Sequence, residues 1–270
     1  MTEHHATVTL FTIATGKYIE YFKLLLPQIE KFLDPGNQIE VVVLTDSVQE
    51  ILPSSPRMRL KVIPCNQEPW PDITLLRYHK ILKHQEIITG KIVMWCDADM
   101  KLVKEIIPSR LIGRHHIIFS KHPGYTFRLT KVIHLLRTQF KDVLGKLFQK
   151  KIAYALSTTG WESRKNSSAY VKKFQRKSYV QGGFWFGRSE DIFEMCSILS
   201  RNIDSDKEIG LVAQWHDESH LNWFKVNKHA NTLKAGFVSV DGYELVGTEK
   251  ASILCLDKSE LDQIIASQEK

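Results

Sequence analysis

Asp97 and Asp99 stand one residue apart, directly after the apolar run IVMWC at 92–96. If extended backbone continued past that run, both carboxylates would point to one face. Two acids that close repel unless water or a shared cation neutralises them. The pair could therefore hold a divalent metal, although by itself a D-x-D this short is better explained by an exposed turn after a strand. A second concentration of chemistry is AQWHDESHLNWF at 213–224, where five polar or ionisable residues, 216 to 220, crowd between aromatics. His216 and His220 are four apart, as on the zinc-binding face of a protease helix. Asp217, however, stands where such a site needs glutamate, and no third ligand is evident. A helix start that welcomes Asp217 and Glu218 at its positive end explains the acids, but not the crowding. In YVQGGFWFG (179–187) a glycine pair interrupts a strand, which suits either a bulge or a ligand that approaches the backbone closely. Arg77 lies on an apolar helix face with Leu75, Leu76 and Ile81. It either snorkels to solvent or clamps a phosphate. His122, in HPGY, is a lone loop histidine.

These residues need a scaffold, and the hydrophobic periodicity supplies one. Residues 7–14 predict a strand and 17–33 a helix with an apolar stripe from Tyr18 to Leu33; 39–46 predicts a buried strand. A short strand at 59–63, a loop at Pro69-Trp70-Pro71-Asp72, a helix over 73–88 and a strand at 91–96 follow. This β-α-β-β-α-β order predicts a doubly wound α/β sheet whose ligand sits at the strand C-termini, where Thr15, Asp46 and Asp97 fall. A strand leading into a loop is expected over 115–125, further strands at 178–187, 235–240 and 252–256, and helices at 189–203 and 216–227. With no repeats or low-complexity linker, residues 1–270 predict one domain.

Composition is that of an ordinary globular chain, with 43% hydrophobic and 25% charged residues. The formal net charge is +7, and it is concentrated: residues 128–151 hold seven Lys/Arg against Asp142 alone. That distribution argues against a general nucleic-acid-binding body and is compatible with peripheral membrane contact through 128–151. Residues 126–158 carry a continuous 3.6-residue apolar stripe, which predicts an amphipathic insert, either a packed surface helix or a lid or acceptor-docking element. No apolar run reaches membrane-helix length and no signal peptide is evident. Cys65, Cys96, Cys196 and Cys255 show no paired spacing, so a cytoplasmic location with reduced thiols is expected.

Together IATGKYIEYF (13–22), VVVLTD (41–46), PWPDITLLRYHKI (69–81), MWCDADM (94–100), HPGY, YVQGGFWFG and WHDESHLNWF resemble glycosyltransferase family 6. That family includes the ABO blood-group transferases and the α-1,3-galactosyltransferases. GWESRKNSSAY (160–170) resembles the family's acceptor-side segment. The likeness covers about 8–245, apart from roughly 126–158. It implies a GT-A type single domain with a Rossmann-like nucleotide-binding half (about 6–100), a mixed central sheet and an acceptor-binding half (about 101–245). It also implies a UDP-sugar donor, Mn2+ held by Asp97 and Asp99, and retaining α-1,3 transfer onto a galactoside or fucosylated galactoside. By the same resemblance the donor contacts Ile13, Ala14, Thr15, Tyr18, Ile73, Arg77, Asp97, Ala98, Asp99, Gln181, Gly182, Gly183 and Asp217, with Lys258 standing in for the family's basic tail. His122, Trp215 and Glu218 face the acceptor. Arg77 and Asp217 serve the reaction, and Glu218 is its nucleophile or charge stabiliser. Glycine at 183 favours UDP-N-acetylgalactosamine over UDP-galactose. Many bacterial members carry N-x-N and work without metal, whereas both aspartates are kept here, in what resembles a soluble microbial or viral member. The alternative of a different class, a non-catalytic glycan- or membrane-binding module, would leave Arg77, Asp97, Asp99 and Glu218 without a task.

Overall fold

The computed structural model describes residues 7–48, 55–122, 160–228, 230–234, 236–240 and 251–268. Its first half alternates β1 (Val8–Ile13), α1 (Tyr18–Phe32), β2 (Ile39–Thr45) and β3 (Met58–Pro64), then α2 (Asp72–Leu75), α3 (Arg77–Lys83), β4 (Ile92–Cys96), β5 (Met100–Leu102) and α4 (Pro108–Ile112). β6 (Ile117–Lys121), β7 (Val180–Arg188), α5 (Ser189–Glu208), α6 (His216–Asn227), β8 (Asn231–Thr232), β9 (Val238–Val240), β10 (Ile253–Cys255) and α7 (Lys258–Gln268) complete it. The main sheet runs β3-β2-β1-β4-β7-β6-β8. Its β3-β2-β1-β4 part is parallel, and β7 lies antiparallel between β4 and β6. The expected doubly wound half and mixed sheet are therefore present.

Burial on both faces explains why β1 and β2 read as unbroken apolar runs. Glu40, buried in β2, is tolerated because Thr9 Oγ1 (2.8 Å), Thr89 N (3.0 Å) and Thr89 Oγ1 (3.0 Å) donate to it and Lys61 lies 2.5 Å away. The two faces have separate cores. On one, α1 lays Phe22, Leu25 and Ile29 against Val41, Met94, Phe184 and Phe186. On the other, α3, α5 and α6 cover Trp95 and Trp185 with Tyr78, Ile81, Leu199 and Leu221. Alternation along β7 sends Phe184 and Phe186 one way and Trp185 the other.

Two features depart from the sequence reading. The helix expected over 73–88 breaks at Leu76 into α2, α3 and a 3-10 turn, Gln85–Ile87. At the break Leu76 leaves helical geometry (φ -83, ψ 2) and Arg77 Nε turns back to donate to Thr74 O at 3.1 Å. A second sheet, β5-β10-β9, was not foreseen as such, because strands of three residues carry too little periodicity to register. It shares the α1-side core through Met100, Leu102, Val238 and Ile253. Among the described residues no helix is long and apolar enough to cross a membrane. The insert expected at 126–158, with its basic stretch 128–151, lies outside the described residues.

Candidate active site

At the C-terminal end of β4 the chain does not stay extended. Asp97 N donates to Gly183 O (2.9 Å), which prolongs the β4–β7 ladder, and Met100 N then donates back to Asp97 O (3.3 Å) to make a turn. Asp97 and Asp99 are thus brought together by a turn, not by strand alternation. Burial and the Asp97 charge raise the proton affinity of Asp99, while Lys258 opposes the rise. Lys258 Nζ sits 3.5 Å from Asp99 Oδ2 and donates to the Tyr18 hydroxyl at 2.6 Å. A turn that holds two acids against each other and draws a lysine to them suits a cation. Among the described residues no group of three His, Cys, Asp or Glu side chains is placed for a metal. Asp97 and Asp99 could hold one only if substrate oxygens and water filled the remaining positions, as is usual for hard cations bound with phosphates.

Arg77 does not snorkel. It is 6% exposed, and its guanidinium is held by several partners. Nη1 donates to Gly182 O (2.9 Å) and approaches Asp97 Oδ1 (3.4 Å), and Nε lies 3.1 Å from Asp217 Oδ2. The guanidinium carbon rests 4.6 Å over the Trp95 ring, whose Nε1 donates to Asp97 Oδ1 at 2.8 Å. Trp95 therefore fixes both members of the Arg77–Asp97 pair, a role that its place in an apolar strand did not advertise.

The crowding at 216–220 is explained by α6. His216 begins the helix in the left-handed region (φ 46), which favours glycine, and the following residues turn into the cleft. Asp217 is 5% exposed, and burial pushes its carboxyl up to about 6 even though Arg77 pulls it down. Its Oδ2 has no aligned hydrogen bond among the described residues despite the nearby Arg77. Glu218 Oε2 accepts from Gly182 N at 2.8 Å, and burial, reinforced by Asp217, lifts its carboxyl to about 8. One turn on, Asn222 takes the part of a neighbouring strand. Its Oδ1 accepts from Val180 N (2.8 Å) and its Nδ2 donates to Val180 O (2.7 Å) and Glu218 O (2.9 Å).

The glycine pair falls at a strand irregularity, the first of the readings offered for it. Between Phe119↔Trp185 and Lys121↔Val180 the β6–β7 register slips, so residues 181–183 form an irregularity. The missing side chains also matter for packing. A Cβ on Gly182 would lie 2.9 Å from Asp217 Oδ2, and one on Gly183 would lie 2.4 Å from Met100 Cε and 2.9 Å from Asp97 Oδ2.

Arg77, Asp97, His122, Gly182, Gly183, Trp215, Asp217 and Glu218 line one cleft of about 240 Å³. Trp70, Thr74 and His216 join them, and Trp70 and His216 meet edge to face at 4.5 Å. Trp70 and Thr74 were passed over in the sequence; an exposed tryptophan beside two prolines was the available signal. Asp99, Ala98, Ile13, Ala14, Thr15, Tyr18, Ile73, Gln181 and Lys258 do not line this cleft. Several of these sit at the adjoining ends of β1 and β4. Ala14, Thr15 and Ala98 are buried and present almost no surface, backbone or side chain, to a ligand. Gln181 is turned inward, its Nε2 donating to Ser120 Oγ at 3.0 Å. His220 is buried beside Asp206 (3.8 Å), away from the cleft-lining His216, so the two histidines form no zinc face. The segment 160–170 is anchored instead. Glu162 accepts from Arg164 Nη2 (2.6 Å) and Gln214 N (2.7 Å), which fixes the loop that carries Trp215.

A model of glycosyltransferase family 6 matches residues 139–239. Over 219 residues the chain is 28% identical to the O-antigen biosynthesis glycosyltransferase WbnI of Escherichia coli, covering 80% of this chain and 81% of that one. It is 26% identical over 222 residues to globoside alpha-1,3-N-acetylgalactosaminyltransferase 1 of Canis lupus familiaris. Over 230 residues it is 24% identical to histo-blood group ABO system transferase 1 of Rattus norvegicus. The matches cover 80% and 81% of this chain but only 56% of each animal protein.

Proposed function

We propose that the chain is a glycosyltransferase of family 6, the family whose model and named members it resembles, and that it is a retaining enzyme of GT-A type. In this reading it moves N-acetylgalactosamine from UDP-N-acetylgalactosamine in α-1,3 linkage onto a galactose-terminated or fucosylated glycan, with Mn2+. The observation that carries the reading is the meeting of Arg77, Asp97, Asp217 and Glu218 with the side-chain-free 182–183 backbone in one cleft. Asp97 and Asp99 would hold the metal, which when bound supplies positive charge to the departing diphosphate. Arg77, fixed by Asp97, Asp217 and Trp95, adds a cation that needs no reorganisation as the sugar–phosphate bond breaks. Asp217, which lines the cleft while its Oδ2 stays buried beside Arg77, would accept from a donor sugar hydroxyl. Glu218 is held at Oε2 by Gly182 N and can meet the positive charge that grows at the sugar, as nucleophile or as stabiliser. His122 and Trp215 then bracket the acceptor.

One named relative and one close contact bear on the donor. Globoside alpha-1,3-N-acetylgalactosaminyltransferase 1 of dog supports N-acetylgalactosamine. The second reading, UDP-galactose, is favoured by the crowding at Gly183, where Met100 and Asp97 already take the direction of a side chain. The test offers both donors to a panel of soluble galactosides, with Mn2+ and with chelator, and determines the linkage and anomeric configuration of the product by NMR. A new α-1,3-linked sugar is expected. No UDP release from either donor with Mn2+ present would overturn the reading.

A further inference from the structure

Beside the acceptor end of the cleft lies a surface that glycosyl transfer does not use. In KKFQRK, 172–177, Phe174 is 76% exposed, on a 3-10 turn (Lys173–Gln175) flanked by exposed Lys172, Lys173 and Lys177. This is a built projection. Gln175 N donates to Lys172 O (2.9 Å), and Arg176 donates from Nε to Val171 O (2.9 Å) and from Nη2 to Glu162 O (3.0 Å). Its two roots, Val171 and Tyr179, are buried with Trp161. Among the described residues the charge is uncompensated. From 160 to 178 there are six Lys/Arg and a single acid, Glu162, which already pairs with Arg164. The bonds of Arg176 go to carbonyls, and so does that of Lys225, which donates to Ser178 O at 3.2 Å and feels Lys121 nearby. The Tyr179 ring meets that of His122 edge to face at 5.9 Å, and His122 lines the cleft.

A lone exposed phenylalanine needs no explanation, and neither does a lone lysine pair. An apolar ring held out on a rigid turn among several unpaired cations is the combination that binds a membrane interface, where the ring enters the headgroup boundary and the cations meet acidic headgroups. We infer that residues 172–177, with Lys121 and Lys225 behind them, dock the protein on an anionic lipid surface, so that the cleft opens toward an acceptor carried in that membrane. The docking stands on its own observations; the membrane-borne acceptor rests on the proposed transfer reaction.

The experiment uses the full chain and phosphatidylcholine vesicles with or without phosphatidylglycerol. Flotation with the anionic vesicles alone, weakened by salt, is expected. One cation near such a surface is worth about fivefold in partition, so Lys172→Gln with Lys173→Gln should lower binding roughly 25-fold. Phe174→Ser should weaken binding even at low salt, where charge alone is strongest. These exposed substitutions should leave the melting temperature and the transfer to a soluble galactoside unchanged, while slowing transfer to a vesicle-embedded glycolipid. Equal binding to neutral vesicles, wild-type binding by the variants, or preferential binding of single-stranded nucleic acid would each overturn the docking. If no protein, wild type included, transfers sugar to soluble acceptors, the transfer reading fails while the vesicle result stands or falls by itself.

Discussion

Glu218→Gln should remove activity and stabilise the fold, and the second effect carries a pH signature. Burial lifts the Glu218 carboxyl from 4.5 to about 8, so between those values the folded protein keeps a proton that the unfolded chain has released. Stability then falls as pH rises, by about 1.4 kcal/mol per pH unit for this group, and the loss is complete above about pH 8. Integrated over that window the cost approaches ~5 kcal/mol, and ~3 kcal/mol is a fair expectation once the coupling to Asp217 is allowed for. Glutamine has the same shape, can still accept from Gly182 N, and never ionises. Denaturant unfolding of both proteins at several pH values should therefore give curves that coincide near pH 4.5 and separate progressively toward pH 8, with the variant more stable. A difference in stability that does not change with pH would refute the raised carboxyl and the burial argument behind it. The same proton predicts that kcat/KM of the wild type rises with pH toward about 8, because only the anion can meet a developing positive charge.

Asp97→Asn and Asp99→Asn should each lose most metal-stimulated turnover; full activity of both variants in chelator would sink the metal assignment. Gly183→Ala should raise the metal concentration needed for activity, because the new methyl falls on Met100 and the Asp97 carboxylate. A clean shift of donor preference toward galactose at unchanged metal dependence would instead show that the methyl enters the sugar pocket. Trp95→Phe keeps a ring under Arg77 but removes the 2.8 Å bond to Asp97. Loss of a hydrogen bond to a charged group, about 1.5–3 kcal/mol, should lower kcat/KM by ten- to a hundredfold. Unaltered kinetics would deny Trp95 its positioning role.

What the sequence makes legible here follows from how locally each feature is determined. β1, β2, β4 and α6 are written in their own residues, as apolar runs or as a run of polar groups that no surface helix requires. The residues of the cleft were also within reach, since Arg77, the glycine pair and Asp217-Glu218 are each odd in their local setting. What was not legible depends on partners distant in the chain. Nothing near Asn222 says that it will stand in for a strand beside Val180, and nothing in WCDAD says that the Trp95 indole will turn to Asp97. The helix break at Leu76 belongs to the same class, because Leu76 lies in a good helical pattern and the break accompanies the burial of Arg77 against Gly182 and Asp217. Likewise the direction of Gly183, toward Met100 and Asp97, could be known only once the turn after β4 was seen to bring both residues beside β7.

The reversed direction of β7 has a further bearing on how such a protein can diversify. β6 ends at Lys121 and β7 begins at Val180, and the two are hydrogen-bonded neighbours there, so all of the chain between them departs from and rejoins one spot on the molecule. That spot is the mouth of the cleft, with His122 on one side and Gly182 on the other. An excursion hung from adjacent strand ends can grow, shrink or be exchanged without shifting β1, β2 or β4, because the ladder closes beneath it whatever its length. On the proposed reading of the cleft, changes in such an excursion touch first the mouth beside His122, while β1, β2 and β4 keep their ladder.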